Sequence, residues 1–152
     1  MKISDKELLN ALLENIPDSI YFKDLESRFI RVSKQLVNRF NVKSEEDIIG
    51  KTDFDFFSSE HASQAFQDEQ EIIRTGKPII NKEEKETFEG REDRWVLTTK
   101  VPFYNSEGKI VGTFGISKDI TDKKKIEFQL LEEKNKAEEL AKKSNAGRSF
   151  KK

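Results

Sequence analysis

The stretch that most constrains the fold of this chain runs from Arg94 to Glu127 and reads RWVLTTKVPFYNSEGKIVGTFGISKDITDKKKIE. Two runs rich in β-forming residues, 95–104 and 109–120, flank the polar segment 105–108 (NSEG). The glycine of this segment suits the positive φ that a tight turn between antiparallel strands requires. The stretch therefore predicts a β-hairpin whose two strands pair side by side.

The second strand of this hairpin is followed almost at once by a lysine-rich helical pattern. Asp119 or Thr121 can accept hydrogen bonds from the free N–H groups of the new helix, so we expect a cap at the joint. A change in the sheet would then be passed to the helix, and Asp119, Ile120 and Thr121 are the residues predicted to couple the two. This continuity favours a sensor or coupling module over a catalyst.

Upstream of the hairpin, the sequence predicts three more strands and a set of mostly short helices. A capping box at Ser4 and Glu7 opens an N-terminal helix, and short strands at 19–23 and 28–33 form a second hairpin. An exposed strand is expected between 78 and 88. Five strands, with the helices grouped between the second and the third, predict an α+β fold in which an antiparallel sheet carries short helices on one face.

The best-marked helix of the middle region begins at Ser58 or Ser59 and is stopped by the segment 75–78 (TGKP). We expect one apolar stripe of this helix to pack on the sheet. The stripe consists of Ala62, Ala65, Phe66, Ile72 and Ile73.

Charge and cysteine content exclude several classes of protein. The 28 basic and 29 acidic residues leave a net charge of −1, so no global field attracts nucleic acid or an anionic membrane. Without cysteine, the chain has no disulfide, thiolate zinc site or cysteine nucleophile, and it fits a reducing compartment. No apolar run approaches the roughly 20 residues of a membrane span, so we expect a cytoplasmic segment that contacts neither membrane nor nucleic acid.

The ordered motifs of residues 10–121 resemble those of a PAS domain with its C-terminal PAC-type motif. The first hairpin contributes Ile20-Tyr21-Phe22-Lys23-Asp24, and further matches are the segments 49–52 (IGKT), 74–78 (RTGKP) and 95–121. The resemblance implies a five-stranded antiparallel sheet that cups a small cavity, with helices on one face, and usually a dimer. It also implies a place in signal transduction, because such domains commonly precede a histidine kinase of a two-component system or another output module.

On this basis the chain divides into four parts. Residues 1–16 form an N-terminal flanking helix, 17–121 the PAS domain, 122–144 a signalling helix, and 145–152 a disordered tail or the point at which a longer chain was cut. In the signalling helix, apolar residues at alternating four- and three-residue steps predict the seam of a parallel coiled coil, with an exposed and partly ordered helix as the alternative. The predicted dimer seam is Ile126, Leu130, Ala137 and Leu140.

His61 is the sole histidine and lies in the first turn of the predicted long helix. Some PAS domains bind haem through a histidine of this helix, but such a ligand is expected about one turn later, near Gln64 or Ala65, and neither side chain can serve. His61 is therefore predicted to be a helix-start or surface histidine, and haem is not the expected cofactor. Flavin is disfavoured more strongly, because the photochemical subclass needs a reactive cysteine.

Two other motifs imitate catalytic or metal sites. Gly50-Lys51-Thr52 resembles the end of a phosphate loop, but Glu45 stands where that loop needs another glycine. Asp53 and Asp55 lack the further ligands of a calcium loop and are better explained by helix capping. No pair of carboxylates is marked for acid–base chemistry, so the chain is not expected to be an enzyme, and no metal is expected.

The more credible site is the cavity that the PAS resemblance implies. Alternate residues of the last two strands are predicted to share the face that looks into it. The predicted lining is Leu97, Thr99, Val101, Thr113, Gly115 and Ser117. Phe114 and Ile116 would lie on the opposite face and meet the N-terminal helix or a second subunit. A glycine and small hydroxyls leave room for a small polar ligand, but a core filled by the twelve phenylalanines is an equally supported alternative.

Together these patterns predict a sensory PAS module that detects a small ligand or a partner. The module is expected to be a homodimer that transmits a conformational change through its C-terminal helix to an output in the same protein, most simply a histidine kinase. Two alternatives stay open, namely a haem-based gas or redox sensor that uses His61, and a dimerisation module without any ligand.

Overall fold

The computed structural model describes residues 1–149, in which four α-helices and five strands follow one another along the chain. The helices are α1 (Asp5–Asn15), α2 (Lys34–Arg39), α3 (Ser59–Thr75) and α4 (Thr121–Ser149). The strands are β1 (Ser19–Asp24), β2 (Phe29–Val32), β3 (Ile79–Glu86), β4 (Arg94–Tyr104) and β5 (Ile110–Asp119). Two single-turn 3₁₀ helices, Glu45–Asp47 and Asp53–Asp55, lie between α2 and α3.

The five strands form one antiparallel sheet in the order β2-β1-β5-β4-β3. The predicted hairpin of β4 and β5 closes through the turn at 105–108, where the Gly108 N–H donates to the Asn105 carbonyl over 3.1 Å and Gly108 has a φ of +79°. Because β5 also pairs with β1, the last strand of the chain lies at the centre of the sheet. The predicted α+β fold is thereby confirmed.

The helix boundaries follow the capping signals of the sequence. The Ser4 hydroxyl accepts from the Glu7 N–H over 3.1 Å and the Glu7 carboxylate accepts from the Ser4 N–H over 3.2 Å, so the predicted capping box is present. Helix α3 begins after Ser58, whose hydroxyl accepts from the His61 N–H. It ends at Gly76, whose φ of +71° is the left-handed conformation that commonly closes a helix.

The apolar core packs against β1, β2 and α2 and is dominated by phenylalanine. Phe40 stacks on Phe56 with ring centroids 4.2 Å apart and meets Phe57 edge to face at 5.2 Å. Phe29 and Phe88 belong to the same cluster. Burial of one phenylalanine side chain contributes about 1.5–3 kcal/mol, so this cluster holds the short helices on the sheet.

The opposite face of the sheet, which we call the outer face, is also apolar but is only partly covered. Phe22, Phe103 and Phe114 form a second aromatic group there, in which Phe22 stacks on Phe114 at 5.4 Å. An apolar groove of about 510 Å³ runs between this face and α1, and it is bordered by Leu12 of α1 and by Ile16, which follows the helix. Leu12 is 46% and Phe114 36% exposed, so α1 does not close the groove.

The chain through Asp119 forms one compact unit, and a second unit, which contains α4, begins at Ile120. Along the chain, Ile120 alone separates the end of β5 from the start of α4, as the sequence predicts. Helix α4 continues through residues 145–149, where the sequence analysis expected a disordered tail or the cut end of a longer chain, because extending an existing helix gains one hydrogen bond per residue. Residues 150–152 lie outside the described residues. Among residues 1–149, no helix combines the length and apolar character needed to cross a bilayer.

Gly112 of β5 tests the pairing of β1 with β5. A Cβ at Gly112 would lie 1.9 Å from the carbonyl oxygen of Lys23, and both groups are held by the backbone. We expect Gly112→Ala to lower the free energy of unfolding by more than about 3 kcal/mol in urea titrations.

Gly147→Ala is the matched control, because a Cβ at this helical position meets nothing within 4 Å. Alanine is favoured over glycine in a helix by about 1 kcal/mol, so this variant should be as stable as the wild type or slightly more stable. Unchanged stability of Gly112→Ala would contradict the strand register.

Candidate functional site

The side of β4 that faces the helices consists of Val96, Thr98 and Lys100. These side chains are 0%, 1% and 4% exposed, and the Lys100 ammonium contacts Glu69 of α3. The inward set therefore ends in a lysine, although lysine is among the residues most rarely buried in proteins.

The residues of β4 that were predicted to line the cavity lie on the outer face. Thr99 is paired with Ile116 and Val101 with Phe114, and antiparallel partners that stand opposite each other share a face. The prediction is therefore wrong for Leu97, Thr99 and Val101. Both alternating sets of β4 contain an aliphatic residue and a threonine, so the alternation did not reveal which set faces the helices. The charge of Lys100 favoured the set without it, which is the wrong one.

On β5 the predicted side is the buried one. Thr113 and Ser117 are 2% and 5% exposed, and Ser117 borders the interior cavity. Gly115 lies beneath the ring of Tyr21, because a Cβ at Gly115 would come within 2.8 Å of that ring. The glycine thus lets Tyr21 lie across the sheet, with its hydroxyl 3.1 Å from that of Ser117. Thr98 adds a third hydroxyl to this hydrogen-bonded group, with its oxygen 3.1 Å from the same Ser117 oxygen.

Four charged side chains occupy the interior beside these hydroxyls, and we call them the charge cluster (Lys23, Asp53, Glu69 and Lys100). The Lys23 ammonium of β1 donates to Asp53 over 2.7 Å and to Glu69 over 2.8 Å. Lys100 of β4 donates to the same Glu69 oxygen over 2.9 Å. None of the four side chains is more than 10% exposed. Two strands, a 3₁₀ turn and α3 are therefore joined at one buried point.

The charge cluster keeps Glu69 and Lys100 ionised. Burial opposes ionisation of Glu69, but Lys23 and Lys100 outweigh it and lower the pKa of this carboxyl to about 2. Burial likewise opposes the Lys100 ammonium, but Glu69 outweighs it, so the pKa of Lys100 lies well above its usual range. Removing one partner from a buried pair leaves an uncompensated charge and costs about 3–5 kcal/mol, so each member depends on the others.

A second ion-pair group connects the interior to the end of β5. The guanidinium of Arg39 is 5% exposed, contacts the Glu86 carboxylate, and has another nitrogen 3.6 Å from Asp119. Arg94 donates to the same Asp119 oxygen over 3.0 Å. Asp119, which the sequence predicted as a cap and coupling residue, is thus bound by two arginines. Ile120 and Thr121 follow it along the chain.

Glu86 is the interior carboxyl whose charge is least supported. Burial raises the pKa of Glu86 to about 7, and Asp53 and Glu84 add to the rise while Arg39 opposes it. The count of buried groups agrees with this direction, because four carboxyls face three buried cations, while Lys82, which lies 3.7 Å from Glu84, is 38% exposed. The carboxylates are Asp53, Glu69, Glu84 and Glu86, and the cations are Lys23, Arg39 and Lys100.

An interior cavity of about 20 Å³ remains among these groups, enough for one water-sized guest. His61 borders it from the first turn of α3, with its ring centroid 4.5 Å from that of Phe57. The predicted position at the start of the helix is confirmed, and the imidazole also reaches the cavity. Burial lowers the pKa of His61, so the ring is neutral at pH 7. A ligand of haem size needs several hundred Å³, so haem at His61 would require this interior to open.

The walls of the interior cavity can both donate and accept hydrogen bonds. Ammonium and hydroxyl groups supply the donors, and the carboxylates supply the acceptors. The Ser19 hydroxyl and the Glu84 Oε1 atom border the cavity, are buried, and have no hydrogen-bond partner within the described part of the chain. Such an arrangement suits a small polar molecule. No group of three metal-ligating side chains was found among residues 1–149.

The charge cluster was missed by the sequence analysis. Glu69 is fully buried and stands four residues after Ala65 and three before Ile72, which are both on the buried stripe of α3. Phe66 was assigned to that stripe, but it is 41% exposed, so this assignment is wrong. The signal that could have found Glu69 was its position along α3. That position places the side chain on the buried stripe, and it decided the burial of Glu69 in spite of the charge.

The raised pKa of Glu86 predicts an unusual pH dependence of stability. Between the ordinary pKa of 4.5 and about 7, the folded chain binds a proton at Glu86 that the unfolded chain does not bind. The free energy of unfolding should therefore rise as the pH falls through this window, by about 3 kcal/mol relative to Glu86→Gln. Urea titrations at a series of pH values measure the difference.

His61 acts in the opposite direction, because its lowered pKa means that the unfolded chain takes up that proton first. Introducing His61→Gln into both the wild type and Glu86→Gln removes this contribution. Parallel pH profiles for the two backgrounds would contradict the presence of an excess buried carboxylate.

Comparison with known proteins agrees with this geometry. The family model described as PAS fold matches residues 13–125. The methanogenesis regulatory histidine kinase FilI of Methanothrix harundinacea (strain 6Ac) is 27% identical over 131 residues, which cover 86% of this chain and 14% of the kinase. The aerobic respiration control sensor protein ArcB of Escherichia coli (strain K12) is 23% identical over 122 residues, which cover 80% of this chain and 15% of ArcB. The chain thus spans about one seventh of the length of each relative.

Solved structures show the same fold. The Vibrio cholerae VqmA dimer in the absence of target DNA matches with a TM-score of 0.69 at 26% identity, over 80% of this chain and 53% of that one. VqmA bound to DPO matches with a TM-score of 0.65, also at 26% identity, over 74% of this chain and 56% of that one. Because the strand order, the enclosed interior and the family match agree, this chain belongs to the PAS family.

Proposed function

We propose that this PAS domain binds a small molecule in its interior and passes the resulting change through α4 to a signalling output. The observation that carries the proposal is the charge cluster around Glu69. Stability alone does not account for it, because apolar residues of similar volume are often as stable as a buried ion pair. Ionisable groups with shifted pKa values in one enclosed space are typical of functional sites.

A closed cluster is suited to detecting a ligand. The cavity of about 20 Å³ admits only a water-sized guest, so a larger molecule must displace a contact of Lys23 or Lys100. The Glu69 carboxylate that loses this contact and the Ser117 hydroxyl would then accept hydrogen bonds from that molecule. A structure of VqmA bound to DPO supports a small-molecule ligand, since VqmA is 26% identical to this chain over the matched region.

The ion pairs at Asp119 provide the route for transmission. A change in the charge cluster alters the field at Glu86, whose partner Arg39 also faces Asp119 at 3.6 Å. A shift of Asp119 would move the end of β5, and Ile120 is the single residue before α4 begins at Thr121. We therefore assign signal coupling to Asp119, Ile120 and Thr121. A small displacement at such a joint can select between two packings of a helix.

The output is proposed to be a histidine kinase of a two-component system in the same protein. FilI and ArcB support this output, although the chain spans only 14% and 15% of their lengths. The chain itself is assigned no catalytic activity and no contact with nucleic acid or membrane. The absence of cysteine from its sequence fits a reducing compartment, so we place it in the cytoplasm.

The module is proposed to work as a homodimer. The outer face carries the exposed side chains of Phe114 and Ile116 beside Leu12 of α1, a surface that a second subunit could cover. In α4, the predicted coiled-coil seam also presents apolar side chains to solvent. The seam is Ile126, Leu130, Ala137 and Leu140, of which Ile126, Leu130 and Leu140 are 58%, 60% and 68% exposed.

One alternative has support of its own. The interior is nearly filled, and this favours a dimerisation module that binds no ligand. A haem sensor has weaker support, because only His61 offers a ligand and the cavity would have to enlarge. The purified protein distinguishes the three hypotheses. The main proposal predicts a bound small organic molecule, the dimerisation module predicts no bound molecule, and the haem sensor predicts a haem with its Soret band.

Native mass spectrometry of the purified chain tests the proposal. We expect about twice the 17.7 kDa chain mass, with a further discrete increment from a retained small molecule. Leu130→Asp should dissociate the dimer, because it places a charge in the seam, whereas Gln129→Asp on the neighbouring face of α4 should not. A bare monomer at micromolar concentration would contradict both the dimer and the ligand.

A further inference from the structure

Two side chains, His61 of α3 and Glu84 of β3, border the interior cavity and also an outside groove. The groove has a volume of about 380 Å³ and lies between α3 and β3. The interior cavity of about 20 Å³ lies behind the same two side chains. At this place, a thin polar layer is therefore all that separates the interior from the groove.

The contact between α3 and β3, which we call the α3–β3 seam, is held by polar pairs at its two ends. At one end, the Lys82 ammonium donates to Asp68 over 2.8 Å. At the other end, the Ser58 N–H donates to the Thr87 carbonyl over 2.7 Å, and the two hydroxyls are in contact. Ser58 and Asp68 are ten residues apart, which is about 15 Å along a helix. His61 and Glu84 lie between these two fastenings.

The α3–β3 seam has little hydrophobic stabilisation. The residues of β3 that are turned toward the helix are Lys82, Glu84 and Glu86, and all three are charged. Partly exposed ion pairs contribute only about 0–1 kcal/mol each, because water replaces them readily. β3 is also an edge strand with a bulge between Ile79 and Lys82, so one of its sides has no strand to hold it. Elements with few apolar contacts open at low free-energy cost.

The groove outside the passage has a negative border. The groove is bordered by the carboxylates of Glu60, Glu83 and Glu84 and by two lysines, each of which is within 3.4 Å of an aspartate. The Glu84 side chain is 10% exposed, and its Oε1 atom has no hydrogen-bond partner among the described residues, although the Lys82 ammonium lies 3.7 Å from it.

We propose that the α3–β3 seam is the entrance to the interior cavity, and that Glu84 at this entrance favours small molecules that bring positive charge or hydrogen-bond donors over anions. The inference rests on the proposed function, because it names the route and the chemical class of the ligand. His61 acts as the movable part of the wall. Its ring packs on Phe57, and rotation of one side chain would join the groove to the cavity.

Thiol labelling tests the entrance without the natural ligand. Ala65 is 2% exposed and borders the cavity, and the chain has no cysteine, so Ala65→Cys supplies a single buried thiol. Its labelling rate is measured with methanethiosulfonates that carry an aminoethyl, a methyl or a sulfonatoethyl group, which are cationic, neutral and anionic. Each rate is divided by the rate at which the same reagent labels a separate variant, Gln129→Cys, whose single thiol is exposed. We expect the cationic reagent to exceed the anionic one about tenfold.

Variants at the α3–β3 seam distinguish entry of the reagent through this seam from entry by other routes. Asp68→Ala should raise the labelling of Ala65→Cys by all three reagents several-fold, because it releases one fastening of the seam. Glu84→Gln should reduce the cation-to-anion ratio toward one. Ile116→Ala on the outer face is the matched control and should leave rate and ratio unchanged.

Several outcomes would overturn the proposal. They are equal effects of Asp68→Ala and Ile116→Ala, faster labelling by the anion, or rates that follow global unfolding when low concentrations of urea are added. If Ala65→Cys does not fold, Leu36→Cys offers a second buried thiol on the cavity wall. Failure here is distinct from failure of the proposed function, because native mass spectrometry decides whether a ligand is retained and labelling decides the route and its charge preference.

Discussion

The structure depends on one carboxylate, that of Glu69, which receives the ammonium groups of two lysines from different strands. Lys23 of β1 and Lys100 of β4 lie 2.8 Å and 2.9 Å from the same Glu69 oxygen. Each of these charges would be costly to bury alone, so none of them is stable inside unless α3 and both strands are in register. The cluster therefore ties the longest helix of the compact unit to the sheet. It also makes the packing of α3 sensitive to any molecule that competes with those ammonium groups for Glu69.

The two faces of the sheet differ in polarity in an unusual way. The side covered by helices holds the charges and hydroxyls, while the outer face is apolar and partly exposed. In most globular proteins the covered side would carry the apolar residues, and the exposed side the charges. Here the covered side combines a phenylalanine core near β2 with a polar interior toward β3. We infer that the first part provides stability and that the second part, which borders the α3–β3 seam, provides recognition.

Much of the fold could be predicted from the sequence because its signals are local. The NSEG turn, the capping box at Ser4, and the Gly76 helix stop each depend on a few adjacent residues, and all are present. The site could not be predicted in the same way, because buried charges contradict the rule that places apolar residues inside. Lys23 and Lys100 share the inward phase of Tyr21 and Thr98, two residues earlier on the same strands, although lysine side chains usually face solvent. Only the partner Glu69, contributed from distant α3, explains their burial.

The packing of α3 and the proposed site both depend on Lys23 and Lys100 being buried ammonium groups held by Glu69. Nitrogen-15 correlation spectra of the lysine side chains test this burial, because an ammonium group that exchanges rapidly with water gives no signal near pH 7. We expect two protected ammonium signals, one of which disappears in Lys23→Arg and the other in Lys100→Arg. No protected signal in the wild type, or two signals that persist in both variants, would contradict the burial of these ammonium groups.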